Sequence, residues 1–220
     1  MKYYLAQKPW EPEILGVTDG MSQARVDEKG FKNKEHFETF MYSFGSPLRG
    51  ADDQEAFSID FDLECVRLRK RAKITDFLWF SPMSYCLFST RVRAILSEFK
   101  LQDHRYFPAV LSSDTEKVNY SFMYMKSFGS ETIDFPKCKF EVGNEFDGYE
   151  NVFYASFEDF HNSKYIPVIK KMAFKGIDGS FEMFKPKLVS GKVISKNLKD
   201  RLENEKVTGI KFKEIEIEFN

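Results

Sequence analysis

The stretch Val193–Phe212, VISKNLKDRLENEKVTGIKF, constrains this chain more than any other. Ser195 is placed to cap a helix, because its hydroxyl can take a backbone N–H that the first helical turn leaves unpaired. Leu198 and Leu202 stand one turn apart and share a face. Thr208-Gly209 then breaks the pattern, since glycine accepts the left-handed backbone that ends a helix or opens a strand. Ile210 and Phe212 alternate with lysines, as a half-buried strand does. The segment therefore reads as strand end, helix, tight turn, strand.

The same unit is met earlier. Ser89 precedes Val92, Ile95, Leu96 and Phe99 at helical spacing, with Arg91, Arg93, Ser97, Glu98 and Lys100 opposite, and a strand follows over Tyr106–Leu111. Set against each other without a gap, the units share Ser89/Ser195, Leu96/Leu202 and Lys100/Lys206. Val92/Leu198, Arg93/Lys199, Leu101/Val207 and Tyr106/Phe212 are similar in kind. One capped-helix-then-strand unit is used twice.

Elsewhere strands dominate. Lys2–Gln7 and Glu13–Val17 read as short strands, and Phe37, Phe40, Met41 and Phe44 as one face of a short helix. Gly45–Gln54 is loop-like. Phe57–Cys65 alternates apolar residues with Ser58, Asp60, Asp62 and Glu64, and its phase flips at Val66 and Leu68, which marks a bulge or the end of pairing. Tyr120–Phe128 reads as a strand buried on both faces, followed by Ile133–Phe135 and a break at Pro136. Phe140–Asn151 is acidic and turn-rich. Val152–Phe157 and Val168–Phe174 are further strands, and Phe181–Phe184 precedes Pro186 and leads to the C-terminal unit. Ile215, Ile217 and Phe219 lie on the phase opposite to Ile210 and Phe212, so the last strand either bulges near Lys213-Glu214 or changes faces. The fold class is α+β, mainly antiparallel β-sheet with a few helices. The chain reads as one unit over 1–220, with a possible N-terminal β-rich lobe over 1–76 and a second region over 77–220.

Composition excludes several classes of function. Of 220 residues 30% are charged, yet the net charge is −1, so nothing drives the whole molecule toward nucleic acid or anionic membrane. Three cysteines, Cys65, Cys86 and Cys138, are too few and too scattered for a disulfide framework or a zinc ribbon, and read as free thiols in a reducing cytoplasm. The most apolar window, Phe77–Phe88, is too short to span a bilayer, and the N-terminus lacks a secretory signal. Twenty-four Phe and ten Tyr point to a core of flat rings.

Catalytic patterns are missing. Gly191-Lys192 lacks the upstream glycine of a phosphate loop, and Gly176 with Gly179 makes no dinucleotide fingerprint. No nucleophile elbow surrounds Ser46, Ser130 or Ser180. His36, His104 and His161 have no metal-ligand spacing. Neither cofactor nor metal is implied, and a hydrolase ranks last among the readings. The basic run Arg67, Arg69, Lys70, Arg71, Lys73 reads first as a charged strand edge and turn.

One resemblance adds a function. VISKNLKDRLENEKVTGIKFKEI resembles the closing signature of a family of bacterial polymorphic-toxin immunity proteins, immunity family eleven, formerly a domain of unknown function. STRVRAILSEFKLQDHRYFPAVL resembles that family's central helix and its aromatic-aromatic-proline strand. YSFMYMKSFGSETIDFPKCKF resembles the next block with its Ile133-Asp134 pair, and IKKMAFKGIDGSFEMFKPK the strand and Phe-rich turn before the final helix. The match runs roughly from Trp79 to Phe212, and it departs at Phe135, where the family carries a small residue or cysteine. The resemblance implies a non-enzymatic cytoplasmic protein that binds and neutralises a cognate toxin domain. It supplies no catalytic residues.

On that reading the acidic faces gain interest, because many toxins act on nucleic acid through a basic site that carboxylates and aromatics would complement. The expected toxin-facing residues are Asp60, Asp62 and Glu64 on one strand face, or Glu145, Asp147 and Tyr149 in the loop Glu145–Glu150. Trp10 and Trp79 are further anchor candidates, Trp79 being the more core-like. The partner is a protein, with no nucleic acid and no membrane, and the chain is a monomer or weak homodimer. The alternative is a nucleic-acid-binding or nucleic-acid-processing domain resting on Arg67–Lys73 and the aromatics.

Overall fold

Alternating apolar residues with short turns between them must pair as strands, and this chain forms two sheets from them. The computed structural model describes residues 1–17, 22–26, 31, 33–40, 63–81, 85–189 and 191–220. In chain order the elements are β1 (Tyr3–Gln7), α1 (Pro12–Leu15), β2 (Ala24–Val26), α2 (Lys34–Thr39), β3 (Leu63–Leu68), β4 (Phe77–Ser81), β5 (Tyr85–Ser89), α3 (Thr90–Leu96), β6 (His104–Ser112) and β7 (Lys117–Met125). There follow β8 (Ser127–Phe128), β9 (Lys139–Asn144), β10 (Gly148–Val152), α4 (Phe157–His161), β11 (Val168–Phe174), β12 (Met183–Pro186), β13 (Lys192–Ser195), α5 (Lys196–Asn204) and β14 (Lys211–Phe219). The protein is α+β and mainly sheet, with nine of thirteen described strand pairings antiparallel. None of its described helices is long and apolar enough to cross a membrane.

Six strands close into a barrel in the order β2-β3-β6-β7-β5-β4, and eight form an open sheet in the order β10-β9-β11-β14-β1-β13-β12-β8. Residues 1–76 divide between the two, because β1 lies between β14 and β13 in the open sheet. The period of two sorts the side chains. Leu78, Phe80, Leu87 and Phe122 fill the barrel lumen. Phe77, Trp79, Cys86, Phe88, Met123 and Met125 point outward into a layer shared with Ile194, Leu198 and Leu202. Phe140, Phe174, Phe184, Val193 and Ile215 form a third core on the far face of the open sheet. Phe40, at the end of α2, packs in the lumen, its ring centroid 5.6 Å from that of Phe122.

Two ambiguities in the sequence resolve differently. The phase flip after Leu63 is a bulge: β3 shifts register against β6 between Leu63 and Val66, and both side chains are buried. The residues of that strand before Leu63 lie outside the described residues, as does Gly45–Gln54. The flip in β14 is a change of faces, since its pairing with β1 runs unbroken from Gln7↔Lys211 to Tyr3↔Ile215. Phe212 joins the middle layer and Ile215 the far core.

Three expectations need correction. Glu13–Val17 is not a strand: Pro12 opens a helical turn and Gly16, at φ 74°, closes it. The short helix expected around Phe37 and Phe40 forms over Lys34–Thr39, opened by the Asn33 side chain accepting the Glu35 N–H at 2.9 Å, while Met41 and Phe44 lie outside the described residues. Phe140–Asn151 is a hairpin, and its second strand ends where the expected strand Val152–Phe157 begins; Ser156 then caps α4 by accepting the Asp159 N–H at 3.1 Å. Ile133–Phe135 makes only an isolated bridge, Ile133 with Phe174, between two short 3-10 turns.

Both capped helices form as read. Ser89 Oγ accepts the Val92 N–H at 3.2 Å and Ser195 Oγ accepts the Leu198 N–H at 3.1 Å. One follows a barrel strand and the other a sheet strand, and their apolar faces meet in the middle layer. The echo ends at the turn. Lys206, at φ 54°, takes the left-handed position after α5, with Val207 N–H bonded to Leu202 O at 3.0 Å, while Gly209, at φ 83°, opens β14.

The shared layer also sets an alkaline limit on stability. Burial pushes the Cys86 thiol up from 9.0 to about 11 and the Tyr106 hydroxyl from 10.0 to about 12. The folded chain therefore keeps protons that the unfolded chain releases. Stability from these groups is complete below pH 9 and is lost as pH rises, with Cys86 alone accounting for about 2 kcal/mol by pH 11. Urea midpoints should fall steeply between pH 9 and 11, and Cys86→Ala should flatten that descent; parallel curves for the two proteins would refute it.

Candidate functional site

The segment Phe140–Phe153 carries four carboxylates and no lysine or arginine. It folds as the β9–β10 hairpin through turn chemistry. Asn144 Oδ1 accepts the N–H groups of Phe146 at 2.8 Å and Asp147 at 3.0 Å, and its amide donates to Asp147 Oδ2 at 2.7 Å. Gly148, at φ 85°, supplies the left-handed residue that returns the chain to the ladder after a three-residue loop. Gly143 admits no side chain, since a Cβ there would overlap Gly148 O.

β10 is the last strand of the open sheet, so one side of its backbone ladder has no partner strand among the described residues. Five of the eight exposed large apolar side chains among the described residues lie between Phe146 and Ile166. Phe146, at the hairpin tip, is 98% exposed, and Ile166, just before β11, is 94% exposed. Tyr149, Phe153 and Tyr165 complete the set. Phe146, Tyr149 and Phe153 lie on or beside the edge strand, and Tyr165 and Ile166 precede β11, two strands in; exposed apolar side chains interspersed with carboxylates have the composition of a protein-binding surface.

Charge is distributed unevenly over this sheet. Lys170 Nζ sits 5.6 Å from the Tyr149 ring centroid and 2.9 Å from Glu141. Lys171 pairs with Glu218 and, at 3.4 Å, with Glu216. A hydrogen bond from Lys171 holds the Glu218 carboxyl below its ordinary range. Lys2 pairs with Glu214 at 3.4 Å. The C-terminal carboxylates are thus matched by lysines, whereas Glu145 and Glu150 make no ion pair among the described residues.

Of the residues singled out from sequence, Glu145, Asp147 and Tyr149 come together on this hairpin. Glu64 is exposed on barrel strand β3, in the other sheet, and Asp60 and Asp62 lie outside the described residues. Trp79 is core, its indole N–H donating to Gly209 O at 2.7 Å. Trp10 is largely exposed, with Lys8 Nζ 4.6 Å from its ring centroid. Sequence reasoning missed Phe146, Phe153, Tyr165 and Ile166. Residue type carried no signal for them, because Phe140 and Phe160 in the same region are not exposed.

No group of three or more His, Cys, Asp or Glu able to hold a metal occurs among the described residues. His104 Nδ1 lies 2.9 Å from Gln102 O, and the His161 ring stacks on Phe157. A cavity of about 550 Å³ between barrel and sheet is lined by Leu5, Trp10, Phe88, Ile169 and Leu188, with Cys86 and Lys192 beside them. Burial keeps the Cys86 thiol protonated there at neutral pH. No family model matches this chain, and no curated protein does.

Proposed function

We propose that this protein is a cytoplasmic immunity protein that binds a cognate bacterial toxin domain and neutralises it without catalysis, with the β9–β10 hairpin as the contact surface. The observation that carries the reading is the exposure of Phe146, Tyr149 and Phe153 on and beside the edge strand β10, with Tyr165 and Ile166 ahead of β11 in the same sheet, interspersed with Glu145, Asp147 and Glu150. Aromatic anchors supply most of the affinity of such surfaces, and carboxylates speed encounter with a basic active site. The resemblance over Trp79–Phe212 supports the same reading.

The test is co-expression with the toxin gene adjacent to its own, followed by pull-down and growth. The wild-type chain should restore growth and co-purify with the toxin. Phe146→Ser with Tyr149→Ala should weaken the complex by about a hundredfold. Glu145→Lys with Glu150→Lys should slow association roughly tenfold or more at low salt. Unchanged affinity in both variants removes the hairpin from the interface. Growth arrest with soluble protein and no complex overturns the immunity reading itself.

A further inference from the structure

A second surface lies at the other sheet. Arg25 on β2 and Arg67 on β3 are directly opposed in the antiparallel ladder, so their side chains leave the same face of the barrel. Like charges so placed repel. The chain then turns at Lys70-Arg71 and adds three more cations, so that Arg25, Arg67, Arg69, Lys70 and Arg71 surround a cavity of about 490 Å³ with Asp114 as the one carboxylate among its described lining residues. Arg25, Arg69, Lys70 and Arg71 make no ion pair among the described residues. Arg69 is half-buried, and its Nε is shielded from solvent without a hydrogen-bond partner there.

The turn that carries these groups is held in place. Arg69 N–H bonds Gln23 O at 2.8 Å, Ala72 N–H bonds Arg69 O at 3.0 Å, and Lys73 N–H bonds Leu15 O at 2.8 Å. Lys73 Nζ donates to Glu13 O at 2.6 Å. Gly16 lies so close that a Cβ there would stand 2.7 Å from Lys73 N. Arg71 sits at φ 70°, a conformation that costs a non-glycine residue on the order of 1 kcal/mol. Cations without an ion pair among the described residues, held on a pinned turn with one buried N–H lacking an acceptor there, form a site prepared for an anion.

We propose that this cavity binds a phosphoryl oxyanion, in the form of a small polyphosphate or the polyphosphate of a nucleotide. Guanidinium groups match phosphate oxygens in pairs, and Arg69 Nε would gain the acceptor it lacks. A long nucleic acid fits less well: the cations are confined to one turn and two strand positions, and none of the described residues lining the cavity is an aromatic on which a base could stack.

The probe is inorganic pyrophosphate, titrated calorimetrically into the intact chain. Saturable one-site binding is expected in the submillimolar range, weakened at least tenfold by Arg69→Gln with Arg71→Gln. Arg25→Gln, an exposed change on the neighbouring strand, should weaken it severalfold and keeps the test valid if the double variant does not fold. ATP competing equally with pyrophosphate assigns the site to free polyphosphate, and a tenfold preference for ATP assigns it to a nucleotide. Absence of saturable binding overturns the proposal, as does affinity unchanged in the variants. So does oligonucleotide binding that grows with length and is not displaced by pyrophosphate.

Discussion

Gly209→Ala is expected to destabilise the fold by about 3 kcal/mol or more. Two effects add at this position. The backbone is at φ 83°, where a Cβ costs about 1–2 kcal/mol. The new methyl would also overlap the Phe77 carbonyl oxygen and stand 2.8 Å from Thr75 Cβ. Neither neighbour can yield cheaply. Phe77 O accepts Thr75 Oγ1–H at 2.8 Å, Phe77 N–H bonds Thr208 O at 3.0 Å, and Asp76 accepts both Thr208 N–H and Thr208 Oγ1–H at 3.0 Å. Relieving the overlap means lifting the α5–β14 turn off the barrel.

Gly148→Ala supplies the control. Its φ is 85° and a Cβ there meets nothing within 4 Å, so it should cost only about 1–2 kcal/mol. Urea denaturation of the two variants separates backbone strain from overlap. Equal losses would mean that the Thr208-Gly209 turn is not held against β4.

Phe184→Ala should cost about 3–5 kcal/mol, through lost burial and the cavity left behind. Phe184 is fully buried, and its ring centroid lies 5.6 Å from that of Phe128, 5.8 Å from those of Tyr3 and Phe174, and 5.9 Å from that of Phe219. Those rings come from four strands distant in sequence, so none can follow the deleted ring inward without drawing its strand along. Phe146→Ala removes the same side chain from a site that is 98% exposed and should change stability by less than about 0.5 kcal/mol. A large loss of stability there would show that Phe146 packs in the fold and is not free for a partner.

How much of this was legible beforehand varied with the range of the interaction responsible. Ser89 and Ser195 were readable as caps because a cap bonds within three residues of itself. Val168–Phe174 was readable because its β-branched and apolar run is local. The turn at Pro12–Gly16 was misread as a strand although it carries the proline-first, glycine-last signature of a helical turn. The turn within Phe140–Asn151 was readable from its residues, but not the two strands around it, because they lack an apolar period; Asn144 and two glycines determine the hairpin. For the candidate surface, Glu145, Asp147 and Tyr149 stood out by charge and residue type. That Phe146, Phe153, Tyr165 and Ile166 remain exposed while Phe140, Phe160 and Phe174 do not could not be read from residue type at all.

The sequence by itself determined the helix caps, the alternation that makes this an α+β chain and the acidic character of the hairpin, because each rests on contacts within a few residues. Only the tertiary structure decided which phase of β14 faces which core, which carboxylates meet a lysine, and which aromatics stay in water. Those outcomes depend on β1 entering between β13 and β14, and on Lys170 and Lys171 arriving beside Glu141, Glu216 and Glu218. Pairings between segments so far apart in the chain leave no periodic trace in the sequence of either partner.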